Sequence, residues 1–108
     1  PVAVLIYQVT AMFQKEEVYG LTSQMRRAAV SVPSNIVEGC ARSSQADYLR
    51  FLYMAFGSLR ELRYQFDLAR RLGFVQKQNV SEAEAKIIET EKILNGLICS
   101  LRPLNLQP

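Results

Sequence analysis

Residues 44–73 read SQADYLRFLYMAFGSLRELRYQFDLARRLG, and the spacing within them decides the fold. Tyr48, Leu52, Ala55, Leu59, Leu62, Phe66 and Ala69 follow one another in unbroken steps of four and three. Such steps place all seven side chains on one stripe of an α-helix, as in the seam of a coiled coil. The segment also carries its own punctuation. Ser44 with Asp47 resembles a capping box, with Asp in place of the usual Glu. Arg70 and Arg71 suit the negative end of the helix dipole, and Gly73 stands where a C-terminal glycine is wanted. A helix is predicted over about 45–72.

Working outward, weaker stripes flank this one on both sides. Val2, Leu5, Ile6, Val9 and Phe13 form one, predicting a helix over 2–13 that ends in a charged connector, 14–20. Leu21, Met25, Ala28, Ala29, Val32, Ile36 and Cys40 form the next, over 21–41. Pro33 lies inside it, has no N–H for the Ala29 carbonyl, and predicts a kink or local irregularity there. Ala83, Ile87, Leu94, Ile98 and Leu101 make the last stripe, over 81–101. Ser81 and Glu84 read as its capping box, Glu82 and Lys86 as an i,i+4 pair, and Pro103 as its stop. No alternating β-type run interrupts the series. The fold class is therefore all-α: one domain, 1–108, forming an antiparallel up-down-up-down four-helix bundle.

Composition fits that reading and narrows the function. The 108 residues are 49% apolar and 21% charged, enough apolar content for the core of one ordinary domain. There is no histidine, which removes the commonest general base and metal ligand. Gly20, Gly39, Gly57, Gly73 and Gly96 stand singly, so no phosphate-cradling loop is present. Ser31, Ser34 and Ser58 have no evident base beside them. The pairs Glu82/Glu84 and Glu89/Glu91 diverge on a helix and read as a solvated face. No enzyme, cofactor, metal or small-molecule substrate is expected. Cys40 and Cys99 form no CxxC pattern and read as two reduced, mostly buried thiols of a cytoplasmic protein. The apolar start at 2–7 is far short of the ~20 residues of a membrane span, and no basic region precedes it as in a signal peptide. The chain begins at Pro1, and further native residues before it are expected.

Net charge is +3, and its distribution says more than its size. Residues 26–71 hold eight arginines and four acids, while the flanking thirds are close to neutral. Local pairs account for some of them: Arg63 with Asp67, Asp67 with Arg71, Glu38 with Arg42, and Arg50 with Asp47. Arg26, Arg60 and Arg70 remain as the least compensated and are the candidates for nucleic-acid backbone contact. A second feature is the face of the central helix opposite its seam, where Tyr53, Gly57, Arg60 and Tyr64 fall. Tyrosine and arginine are enriched at protein interfaces, which makes these four the candidates for an oligomer contact. Two solvent-exposed tyrosines on a bundle with a wide core are the plainer alternative. The small residues between Arg26 and Glu38 suit close approach of a neighbouring helix, with Gly57 and Ser58 as the matching surface. Arg27, Asn35, Glu38 and Glu61 are then candidates for a partly buried polar network of structural type.

Three blocks carry a family resemblance: LTSQMRRAAVSVPSNIVEG (21–39), Arg42-Ser43-Ser44, and FLYMAFGSLRELRYQFDLARRLGF (51–74). Over about 7–100 the chain resembles the bacterial 23S rRNA intervening-sequence proteins. Family members usually have more helix before the position of Val2, often with a tryptophan, and many have proline where this chain has Gln14. The resemblance implies a left-handed antiparallel bundle that assembles into a ring-like homopentamer. A related group, the accessory proteins of diversity-generating retroelements, is similarly pentameric, basic, and works with nucleic acid and its enzymes. The expected function is therefore a non-enzymatic homo-oligomer with nucleic-acid adaptor work as its extension. The alternative is a protein scaffold that binds no nucleic acid.

Overall fold

The computed structural model describes residues 1–11, 20–75 and 77–102, the side chains of 77–80 excepted. Four helices account for most of them: α1 (Val2–Thr10), α2 (Leu21–Cys40), α3 (Gln45–Arg71) and α4 (Lys77–Leu101). Helix α1 packs on α2 and α4, and α3 packs on the same two, so the four close a square with α2 and α3 in most intimate contact. The antiparallel bundle is long and thin, 47 × 25 × 19 Å. Among the described residues no helix is long and apolar enough to cross a membrane.

The seam of α3 is the spine of the core. Leu52, Ala55, Leu59, Leu62 and Ala69 are fully buried and Phe66 nearly so, with Tyr48 half-buried at the end. Ile6 of α1, Met25 and Ala29 of α2, and Ala83, Ile87 and Ile98 of α4 meet them. Burying one such large side chain stabilises the fold by about 1.5–3 kcal/mol, so this cluster dominates the energetics.

The ends of α3 follow from its punctuation. The Asp47 amide donates to Ser44 Oγ at 3.1 Å. At the far end the Phe74 amide donates to the Ala69 carbonyl and the Gly73 amide to that of Arg70. This is the Schellman pattern, and it needs the left-handed φ of +78° that Gly73 adopts.

Two expectations change, and one falls partly outside the described residues. Helix α4 begins at Lys77, not 81, so Ser81 lies a turn inside it and is not its cap. Nothing between 77 and 81 breaks a helix, and the turn is made earlier by Gly73. Helix α1 ends at Thr10, and the expected continuation to Phe13, like the connector 14–19 and the stop at Pro103, lies outside the described residues. Cys40 and Cys99 are exposed, not buried. Cys40 is the last residue of α2, where its stripe has already run past the core.

Helix α2 runs unbroken through Pro33, which is exposed. A proline inside a helix costs about 3 kcal/mol relative to alanine. Burial of Met25, Ala28, Ala29 and Val32 against α3 offsets it. The small residues act as expected at one point: Ser31 Oγ and Ser58 Oγ lie 2.8 Å apart across the contact. The glycine that permits close approach is Gly39, not Gly57. A Cβ on Gly39 would sit 2.9 Å from Phe51 Cβ and 2.9 Å from Tyr48 Cδ1, whereas at Gly57 it would meet nothing within 4 Å.

Two stability outcomes follow from this packing. Leu59→Ala is expected to lose ~2–5 kcal/mol in urea unfolding through the cavity it leaves. Gly39→Ala is expected to lose ~1–3 kcal/mol by overpacking. Gly96→Ala, on an exposed part of α4 with open space around it, should instead gain up to ~1 kcal/mol from helix propensity.

Candidate functional site

Burying one stripe of α3 forces the opposite stripe outward. Tyr53, Gly57, Arg60 and Tyr64 all lie exposed along it, Tyr64 at 69% and Tyr53 at 46%. Gly57 leaves an open notch between the two rings. Arg102, just past α4, reaches across so that its Nε donates to Tyr53 Oη at 2.9 Å. The four candidates for an oligomer contact thus share one surface.

Beside that line, α3 and α4 enclose a cleft of about 420 Å³. Arg60, Arg63, Tyr64, Phe66 and Asp67 line it from α3, and Glu84 and Ile87 from α4. Next to it lies a residue that the sequence reading misplaced. Glu91 is only 7% exposed, while its supposed partner on a solvated face, Glu89, is exposed and pairs with Lys86 at 3.8 Å. Lys86 accordingly does not take Glu82 as its ion-pair partner. The signal for Glu91 was present: the last stripe steps from Ile87 to Leu94 with a gap, and position 91 fills it in the 4-3 rhythm. Its side-chain chemistry hid it.

Arg63 reaches across to α4 and does not use Asp67. Its Nη1 donates to Glu91 Oε1 at 2.8 Å. Arg60 Nη1 lies 3.9 Å from Glu91 Oε2, an ion pair beyond hydrogen-bond range. Glu91 Oε2 is buried and accepts no hydrogen bond. Two other buried oxygens are in the same condition, Gln65 Oε1 and Thr22 Oγ1.

Asp67 belongs to the last turn of α3. Arg71 Nε donates to its Oδ2 at 2.9 Å, and Arg70 donates to Oδ1. The Arg70 hydrogen bond, joined by the charges of Arg71 and Arg70, holds the Asp67 carboxyl below the ordinary range, and the same contact pushes Arg70 upward. At the other end of the bundle, burial and the neighbouring Cys40 raise the Tyr48 hydroxyl.

The three arginines expected to be uncompensated are therefore all engaged. Arg60 faces Glu91 and Arg70 holds Asp67. Arg26 Nε donates to Thr10 Oγ1 at 2.7 Å, and its guanidinium lies over the Tyr7 ring at 4.7 Å, clamping α1 to α2. Local spacing could not show the last of these, because its partners are on another helix. Nor do the three converge: Arg26 sits on the α1–α2 side, Arg60 and Arg70 on α3 next to α4.

The proposed polar network is not assembled either. Glu38 pairs with Arg42 at 2.9 Å on the surface, and Glu61 accepts from Gln65 Nε2. Asn35 Nδ2 donates to the Ser31 carbonyl, and Arg27 is exposed. The polar link between α2 and α3 is instead the Ser31–Ser58 pair, with Asn35 behind it. No group of three or more acids and cysteines suited to a metal ion occurs among the described residues.

Fold and surface together define an all-α antiparallel bundle with an exposed aromatic face. The chain belongs to the 23S rRNA-intervening sequence protein family, which matches residues 2–96. It is similar in structure to a protein of unknown function from the S23 ribosomal protein family of Bacteroides thetaiotaomicron VPI-5482. The two share 24% identity over 89% of this chain and 87% of the other, with a TM-score of 0.82. That likeness speaks for the fold alone. Comparison with curated proteins found no significant match.

The lowered Asp67 carboxyl has a consequence for acid stability. A carboxyl depressed in the folded state stabilises the fold above its unfolded pKa of about 3.9 and loses that contribution as pH falls through its folded value. Asp67→Asn should therefore narrow the stability difference from wild type as pH drops from 5 toward 2. Thermal melts across that range check it.

Proposed function

We propose that this chain is a non-catalytic bundle that assembles with copies of itself and acts as a protein scaffold, with the outer face of α3 as the contact. The observation that carries this reading is the exposed line of two tyrosines flanking the Gly57 notch. Tyrosines bring large contact area at low entropic cost, and a notch between rings accepts a side chain of a neighbour. The family resemblance makes a ring of five copies the expected form. The absence of histidine from the sequence supports a role without catalysis. Nucleic-acid binding is placed second because Arg26 and Arg70 are held by hydrogen bonds within the bundle and the three arginines do not converge on one surface, Arg26 lying against α1 and Arg60 beside α4. Backbone binding needs free cationic side chains that displace the counter-ions condensed on the phosphates.

Light scattering at micromolar concentration is expected to return a multiple of the 12.3 kDa chain mass, five-fold for the ring. Gly57→Glu puts a charge on that face at a point where a Cβ meets nothing within 4 Å, and should give a helical monomer by scattering and circular dichroism. A wild type that scatters as a monomer would end the assembly reading. Labelled RNA should show no saturable anisotropy change at physiological salt. Saturable binding that Arg26→Gln with Arg70→Gln removes would put the nucleic-acid role first instead.

A further inference from the structure

Glu91 occupies a core position on α4, between Ile87 and Leu94 in the buried stripe. An aliphatic side chain there would bury as well, and the half-exposed guanidiniums it left behind would be hydrated, so the core does not require a carboxylate at this position. Its carboxylate is used instead to face two guanidiniums of α3, Arg63 at 2.8 Å and Arg60 at 3.9 Å. Each guanidinium has five N–H donors in a planar fork. Arg63 donates one of them to Glu91, and Arg60 donates no hydrogen bond among the described residues. The remaining donors of the pair face solvent, on side chains 46% and 62% exposed at the wall of the 420 Å³ cleft.

We propose that this cleft receives a single carboxylate of a partner protein, bound by Arg60 and Arg63 while buried Glu91 holds the two side by side. This rests on the scaffold reading and names the chemistry of what the scaffold holds. Phe66 and Ile87 in the lining suit an apolar stem behind the carboxylate, and Tyr64 walls one side. Charge selects one carboxylate over a polyphosphate. Arg60 and Arg63 stand against Asp67 and Glu84 in the lining, so the cleft offers directed donors without a net positive charge. A nucleic-acid backbone would meet both of these acids beside the arginines. A carboxylate accepts the forked donors of arginine in pairs, the geometry in which such contacts are strongest.

The test titrates the full chain with sodium isovalerate, a carboxylate on a branched apolar stem, while the arginine Nε–Hε signals are followed by NMR. Arg60 and Arg63 are expected to shift with saturation at a Kd of roughly 1–10 mM, the range open to so small a ligand, while Arg27 and Arg102 stay still. Arg60→Gln should abolish the saturation without lowering the melting temperature. Glu91→Leu should melt no lower than wild type yet bind isovalerate more weakly, although it removes a negative charge from beside the site. A Glu91→Leu that melts several degrees lower, or binds as well or better, overturns the positioning role. A shift shared by all arginines, or saturation by inorganic phosphate at lower concentration than by isovalerate, overturns the carboxylate site. Scattering mass reads separately: an assembled wild type with no saturation leaves the assembly reading standing and removes this one. Saturation on a monomer does the reverse.

Discussion

Helix α3 cannot leave its seam in water, and most of the structure answers that demand. Seven apolar positions along 27 residues need cover on two sides, and α2 and α4 supply it. Helix α1 then closes the square by packing on both of them. Length matters here. A helix of this span rises about 40 Å, so its neighbours must be long as well, and α2 tolerates Pro33 in its middle because contact with α3 extends on either side. The close approach at Gly39 and the Ser31–Ser58 contact are local consequences of drawing α2 tightly onto that seam.

The same helix shapes the outer surface. Once its inner stripe is set, the opposite one is committed to solvent or to a partner, and it carries two tyrosines around a glycine where charge would be ordinary. Arg60 on that outer stripe and Arg63 beside it lie near enough to α4 to share a buried carboxylate. Several polar contacts in this bundle join elements distant in sequence: Arg63 to Glu91, Arg26 to Thr10, Arg102 to Tyr53, Gln45 to the Leu101 carbonyl. They tie the aromatic face and the cleft to elements distant in sequence, and so hold both surfaces in defined geometry.

The sequence by itself determined the helical class, the order of the elements, the seam of α3 and its two ends. Those follow from contacts within a few residues: side chains three and four apart share a face, Ser44 caps the amides just after it, and Gly73 alone can take the left-handed turn. The outward placement of Tyr53, Gly57, Arg60 and Tyr64 was equally legible, as the complement of the seam. Only the tertiary structure decided which charges meet. Arg63 had Asp67 four residues on and took Glu91 instead, because α4 brings a carboxylate that is shielded from water, where an ion pair is stronger. Glu91 itself was hidden because hydropathy assigns a carboxylate to solvent, whereas burial depends on what the facing helix presents. Ser81 shows the reverse error: a capping pattern complete in sequence does not mark the start of the helix, since the chain had already turned at Gly73 and the helix begins at Lys77. Local rules choose the conformation of a segment. Partners across the bundle are chosen by packing, which no spacing within one helix encodes.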